Sequence, residues 1–135
     1  MLKITIRSGT SFVTEPGISI LDAATASGIS LPYSCRTGRC STCKCKVVEG
    51  QTSALSAETG LTAEEKAVGW ILGCVRTAVT DLVLEVETLD GLALPPARTL
   101  PCRIRSLERM APDVMRILLR LPPASEFEFV PGQYI

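Results

Sequence analysis

The apolar residues of the chain fall into short stretches, most of them alternating with polar residues as β-strands do when they bury one face. In the N-terminal part these stretches are residues 2–7, 11–15, 44–48, 70–72 and 82–88. The sequence Ser-Gly-Thr at residues 8–10 predicts a hairpin between the first two. Regular patterns are absent over residues 31–43 and 51–61, and we expect loops there.

Two short helices interrupt the strand pattern. The first is predicted to begin after Ser19, a serine N-cap that has Asp22 in capping-box register. The second is predicted over residues 63–68, because Thr62 and Glu65 form a second capping box. Both helices are short, so the sheet supplies most of the expected fold.

These elements predict three regions. A mixed sheet wrapped around one helix is the α+β architecture of β-grasp (ubiquitin-like) domains, and we expect it over residues 1–90. Residues 91–98 contain two consecutive prolines and no periodicity, which is typical of a linker. Strand patterns resume at residues 101–108 and 114–121. We therefore expect a second, β-rich region over residues 99–135.

Composition excludes several kinds of chemistry. The chain has 135 residues, 14 basic and 14 acidic residues, and no histidine. Without histidine there is no Ser-His-Asp or Cys-His catalysis, no histidine-bound zinc and no Rieske-type cluster. The balanced charge argues against a nucleic-acid partner, and no apolar run is long enough to span a membrane. The first residues, MLKITIRSG, lack the apolar stretch of a signal peptide, so we expect a cytoplasmic protein.

The cysteines are the candidate chemistry of this chain. They are Cys35, Cys40, Cys43, Cys45, Cys74 and Cys102. In a reducing cytoplasm, clustered cysteines are more often metal ligands than disulfides. The spacing Cys-x4-Cys-x2-Cys from Cys35, followed at a distance by Cys74, is that of plant-type [2Fe-2S] clusters. A four-cysteine zinc site fits less well, since zinc ribbons use two separated Cys-x2-Cys pairs.

The remaining candidate residues have simpler interpretations. Cys45 is an alternative metal ligand, but we expect it to be a half-buried residue of a strand. Cys102 is expected to be a buried thiol in the second region. Trp70 is a candidate electron relay, but we expect a core or near-core aromatic residue. The small residues between the first three cysteines suit a loop whose N–H groups point at sulfur.

The cysteine loop resembles a known family. Residues 33–43 (YSCRTGRCSTC) resemble the cluster loop of plant-type ferredoxins, and residues 72–74 (LGC) resemble the segment that carries their fourth ligand. The resemblance covers about residues 1–89. It implies one-electron transfer and no catalytic acid, base or nucleophile in this segment. It implies a [2Fe-2S] cluster whose ligands are Cys35, Cys40, Cys43 and Cys74.

The second region resembles the first part of the flavin-binding barrel of ferredoxin-NADP reductase-like enzymes. The residues that carry this resemblance are 111–122 (APDVMRILLRLP) and 131–135 (PGQYI). It implies that residues 99–135 begin an antiparallel β-barrel, and that the chain is the N-terminal part of a longer flavin/iron–sulfur reductase. FAD and NAD(P)H are then expected only in the full-length protein. No flavin-contacting residue is assigned, because the chain stops before the Arg-x-Tyr-Ser segment of that family.

Two groups of reductases combine such domains. The sequence of residues 111–135 favours a resemblance to the CDP-6-deoxy-Δ3,4-glucoseen reductases, which pass electrons to a dehydrase in deoxysugar synthesis. The alternatives are the reductase component of an oxygenase system and a ferredoxin-type carrier with an inert tail. For a reductase, the resemblance implies a flavin domain as electron donor and a partner protein as acceptor.

Basic residues gather around the cysteine loop although the net charge is zero. No acidic residue lies between Asp22 and Glu49. The basic residues of that interval are Arg36, Arg39, Lys44 and Lys46. We expect a cationic docking face that attracts an acidic partner and raises the reduction potential of the cluster. Ordinary solvated charge is the alternative, because exposed charges are screened.

Overall fold

The computed structural model describes residues 1–89 and 99–127, and the chain divides into two compact units, Met1–Leu92 and Ala93–Ile135. The predicted linker, residues 91–98, and the segment 131–135 lie outside the described residues. The fold of the described parts is α+β, with a mixed sheet and two short helices in the first unit and a hairpin in the second. Neither helix is long and apolar enough to cross a bilayer.

The elements of the first unit follow the local sequence pattern. In chain order they are β1 Leu2–Ile6, β2 Ser11–Thr14, α1 Ile20–Ala26, β3 Lys44–Glu49, β4 Thr52–Ala54, α2 Ala63–Ala67, β5 Trp70–Leu72, β6 Arg76–Ala78 and β7 Leu82–Glu85. Alternation sets the faces: Ile4 and Ile6 of β1 are fully buried, whereas Lys3 is exposed. The two predicted helices and the strands of the mixed sheet are confirmed.

The main sheet has the strand order β2-β1-β7-β3-β5. Strands β1 and β7 are parallel, and the other neighbours are antiparallel. The register of the β3–β5 pair places Lys44 opposite Leu72. This register brings the chain just before β3 beside the chain just after β5, which is where the third and fourth predicted ligands lie.

Helix α1 supplies one wall of the main core. Its buried face packs with residues of β1 and β7, and burial of this apolar surface is the main source of stability. The Ser19 hydroxyl accepts a hydrogen bond from Asp22 N–H at 3.0 Å, as an N-cap should. The predicted capping box is incomplete, because the short Asp22 carboxylate accepts from the Ser19 hydroxyl at 2.6 Å. The box of Thr62 and Glu65 is complete.

Two strands of the first unit were not predicted from the sequence. Strand β4 lies in the interval 51–61, where we expected only a loop, and it pairs antiparallel with β6. Both have three residues, too few for a periodic pattern to be recognised. Strand β7 ends at Glu85, whereas the alternation predicts a strand up to residue 88.

The described residues of the second unit form a hairpin of β8 Arg103–Ala111 and β9 Val114–Arg120. Both strands were predicted, and the barrel to which they were assigned stays a prediction. Apolar side chains of the hairpin are exposed, among them Ile104, Leu107, Ile117 and Leu119. The prediction of a buried Cys102 is wrong. Cys102 is exposed, because it precedes β8 and no second layer covers the hairpin within residues 99–127.

Candidate metal centre

The first three predicted ligands lie on the irregular loop between α1 and β3, which we call the cluster loop, residues 31–43. Its backbone turns sharply, because Arg36, Gly38 and Ser41 have φ angles of 56°, 77° and 59°. Positive φ is unfavourable for residues that carry a Cβ. Arg36 and Ser41 are therefore held in this conformation by contacts around them.

The curled loop brings Cys35 and Cys40 together. Cys35 N–H donates to Cys40 Sγ at 3.4 Å, and Thr37 N–H donates to Cys35 Sγ at 3.4 Å. Hydrogen bonds from the hydroxyl and then the N–H of Thr37 lower the pKa of Cys35 to about 5. The hydroxyl of Thr42 lowers the pKa of Cys40 in the same way. Both sulfurs are therefore favoured as thiolates, the form that binds metal.

Cys43 and Cys74 form a second pair. Gly73 N–H donates to Cys43 O at 3.0 Å, as the register of β3 and β5 requires. The half-buried Cys74 packs against the small apolar cluster that contains Cys43. Burial raises the pKa of Cys43 to about 12, and the neighbouring Cys74 sulfur adds to the rise. A metal that binds here has to displace the Cys43 proton.

The arrangement of the four sulfurs distinguishes the possible metal sites. The sulfurs form two pairs, Cys35 with Cys40 and Cys43 with Cys74. A zinc site needs four ligands around one ion, whereas a [2Fe-2S] cluster takes two thiolates on each iron. The donor set fits the binuclear cluster.

Residues 55–61, which we call the strap, lie against the cluster loop. Gly60 N–H donates to Gly38 O at 2.9 Å, and the Ser41 hydroxyl donates to Gly60 O. The approach is very close, since a Cβ on Gly38 would lie 2.4 Å from Ala57 O. Glycine is therefore required at position 38 by its positive φ and by the neighbouring backbone.

The strap also contacts the segment of Cys74 through Glu58, a charged residue that is only 6% exposed. Its carboxylate accepts hydrogen bonds from Leu72 N–H and from the Arg76 guanidinium. Burial alone would raise the pKa of Glu58, but these hydrogen bonds outweigh burial and hold that pKa below its ordinary value. The sequence does not predict the pairing of Glu58 with Arg76, because no motif or periodicity links a charge of the strap to one on β6.

Cys45 occupies a different environment from the predicted ligands. It lies on β3 and is 1% exposed in the main core, so it is more deeply buried than predicted. Burial raises the pKa of Cys45 to about 12. Cys43 belongs instead to a second cluster with Leu61, Leu72 and Val75. The half-buried Trp70 packs against this second cluster, as expected for a near-core aromatic residue.

The predicted basic residues are not equivalent. Arg36 forms an ion pair with Asp22, and its guanidinium lies 5.3 Å from the centre of the Tyr33 ring. Lys44 Nζ lies 2.8 Å from Glu65 Oε1. Two of the four positive charges near the cluster loop are therefore compensated by carboxylates.

Comparisons with known proteins show the family of the chain. Residues 4–79 match the family of 2Fe-2S iron-sulfur cluster binding domains. The chain is 37% identical over 128 residues to the CDP-6-deoxy-L-threo-D-glycero-4-hexulose-3-dehydrase reductase of Yersinia pestis, a match that covers 95% of this chain and 39% of that protein. It is 34% identical over 131 residues to the ferredoxin–NAD(+) reductase component of the alkene monooxygenase system of Xanthobacter autotrophicus, covering 96% and 39%.

A solved structure shows the same relationship. The cytochrome P450 reductase of Amycolatopsis is 30% identical, with a TM-score of 0.63 over 95% of this chain and 38% of that one. The chain spans about 39% of the length of the curated relatives that it matches. Because the family match covers residues 4–79 and includes all four paired cysteines, the chain belongs to the 2Fe-2S iron-sulfur cluster binding domains and its cofactor is a [2Fe-2S] cluster.

Proposed function

We propose that this chain transfers single electrons through a [2Fe-2S] cluster bound by Cys35, Cys40, Cys43 and Cys74. The observation that carries the proposal is the arrangement of these thiols in two pairs. When bound, such a cluster supplies one-electron redox chemistry. The N–H groups of Cys35 and Thr37 donate to sulfur, and such hydrogen bonds favour the more negative reduced state.

The two units suit the modules of a flavin/iron–sulfur reductase. We infer that residues 1–89 form a β-grasp domain, since a mixed sheet packs on the single main helix. We infer that the hairpin β8–β9 begins the antiparallel barrel of a flavin domain, because its exposed apolar side chains suit strands that further strands cover. In the whole protein, NAD(P)H would reduce FAD, and the flavin domain would reduce the cluster.

The electron acceptor is a partner protein. We favour a dehydrase, because the reductase of Yersinia pestis, named for such a dehydrase, shares 37% identity with this chain. An oxygenase is the second candidate, since the reductase component of an alkene monooxygenase system and the electron transfer component of a xylene/toluene monooxygenase share 34% and 35% identity with this chain. The alternative for the chain itself is a ferredoxin-type electron carrier with an inert tail. We place the protein in the cytoplasm, where the exposed thiol of Cys102 stays reduced.

The basic residues of the cluster loop and of β3 provide a docking surface for that partner. Arg36 and Lys44 are paired with carboxylates, which leaves Arg39 on the loop and Lys46 on β3 for docking. Arg39 is exposed and directly precedes Cys40. Within residues 1–89 and 99–127, neither Arg39 nor Lys46 forms an ion pair. Their charges are therefore available to an acidic patch on the partner, and salt should weaken that attraction.

A reductive titration followed by electron paramagnetic resonance tests the proposed function. The loaded chain should take up a single electron and follow a one-electron Nernst curve, because a [2Fe-2S] cluster holds one electron at a time. A chain that takes up electrons in pairs, or takes up none, would contradict the proposal.

The same titration tests the docking charges. The double variant Arg39→Gln, Lys46→Gln should have a lower reduction potential, because reduction adds negative charge that nearby cations stabilise. A cation about 8 Å away at an effective dielectric constant of about 40 contributes about 1 kcal/mol, or about 45 mV. The control is Lys3→Gln, Arg7→Gln, which removes the same charge near β1. Equal potentials in the two variants would leave ordinary solvated charge as the explanation.

A further inference from the structure

The segment that carries Cys74 is held by a buried ion pair between Glu58 and Arg76. The side chains of Glu58 and Arg76 are 3% and 23% exposed, which makes theirs the most buried ion pair of residues 1–89 and 99–127. Glu58 Oε2 accepts hydrogen bonds from Arg76 Nη2 at 2.8 Å and Nε at 3.0 Å. Glu58 Oε1 accepts from Leu72 N–H at 2.9 Å. Leu72 and Arg76 flank Cys74 at equal distance along the chain, so one carboxylate fixes both ends of the segment 72–76.

Glu58 is carried by the strap, which is itself attached to the cluster loop. The attachment is through Gly60, whose N–H donates to Gly38 O and whose carbonyl accepts from the Ser41 hydroxyl. At the start of the strap, Leu55 N–H donates a hydrogen bond to Val75 O at 2.8 Å, directly after Cys74 in the chain. The strap therefore links the loop that bears three cysteines to the segment that bears the fourth.

We propose that Glu58 is a positioning residue for the cluster, which holds Cys74 at the distance from the cluster loop that the second iron requires. The proposal rests on the assignment of Cys74 as a ligand in the proposed function. A buried ion pair is a poor source of stability, because its desolvation is expensive. Its charge-assisted, two-pronged hydrogen bonds do fix geometry, and metal ligands depend on outer residues that orient them.

The test compares Glu58→Gln with a matched surface change. Glu58→Gln keeps the size of the side chain and an oxygen that can accept from Leu72 N–H. It removes the negative charge that pairs with the Arg76 guanidinium. Iron release from the loaded chain to a chelator, measured far below the unfolding temperature, should become about 10- to 100-fold faster. The visible circular dichroism of the cluster should change as well. The control is Glu85→Gln, which removes a carboxylate that pairs with Arg7 at the surface, 53% exposed.

A second variant keeps the test decisive if Glu58→Gln does not fold. Arg76→Lys retains the positive charge and loses the planar fork, so it should also accelerate iron release and change the dichroism. The proposal is overturned if the folded variants release iron at the rate of Glu85→Gln with an unchanged cluster spectrum, even when their thermal stability is reduced. A wild-type chain that binds no cluster would instead overturn the ligand assignment itself.

Discussion

Replacing Cys43 or Cys74 by alanine should abolish the cluster, whereas Cys45→Ala should leave it in place. Cys43 and Cys74 form one of the two thiol pairs, and each iron needs both thiolates of its pair. Since even residues behind a ligand change metal affinity 10- to 100-fold, iron content should fall below about a tenth of the wild-type value when a ligand is lost. Visible absorption and iron content of the purified variants measure this.

Cys45→Ala is the matched control, because it removes a thiol two residues from Cys43 that lies in the main core. It should lower the free energy of unfolding by about 1 kcal/mol, the cost of a small cavity, and keep full iron content. Cys102→Ala should change neither quantity, since Cys102 is exposed. Loss of iron from Cys45→Ala with retention in Cys43→Ala would show that the pairs are assigned wrongly.

Gly38→Ala should destabilise the fold strongly and should also loosen the cluster site. The alanine would have to adopt a φ of 77°, and its Cβ would lie 2.4 Å from Ala57 O and 3.2 Å from a methyl group of Val75. The first effect costs about 1–2 kcal/mol. Displacement of the strap backbone adds about 1–3 kcal/mol. Thermal unfolding of the loaded chain and the rate of iron release should both register the change.

Gly28→Ala separates the two contributions. Gly28 has a φ of 74°, but a Cβ there would meet nothing within 4 Å. This control should therefore cost only the conformational part, about 1–2 kcal/mol, and leave iron release unchanged. If the two alanine variants were equally stable and released iron equally slowly, the close contact between the strap and the cluster loop would have no role.

Local signals explain what the sequence predicts correctly. The spacing of Cys35, Cys40 and Cys43 lies within one loop, and the family match confirms the type of cofactor that it predicts. The capping box of Thr62 and Glu65 spans one helical turn, and the structure shows both of its hydrogen bonds. Alternation over β1 predicts a strand in the same way. The ligand set is a finer statement than the type of cofactor, and it stays a prediction that the cysteine variants test.

Contacts between distant segments explain what the sequence does not predict. The interval between Asp22 and Glu49 contains no acidic residue, which predicts uncompensated positive charge. In the fold, Asp22 of α1 forms an ion pair with Arg36, and Glu65 of α2 forms an ion pair with Lys44. The ion pair of Glu58 with Arg76 and the pairing of β4 with β6 are of the same kind. Each of these contacts depends on which distant segments of the chain meet in the fold, and no local sequence pattern specifies that.

The iron and acid-labile sulfide content of the purified chain decides whether it binds a [2Fe-2S] cluster. We expect two irons and two sulfides per chain, because the paired thiols and the family match both indicate this cluster. The protein should then be red-brown, and one electron should give it a paramagnetic signal. Stoichiometric zinc without labile sulfide or visible absorption would show that the chain binds a different metal.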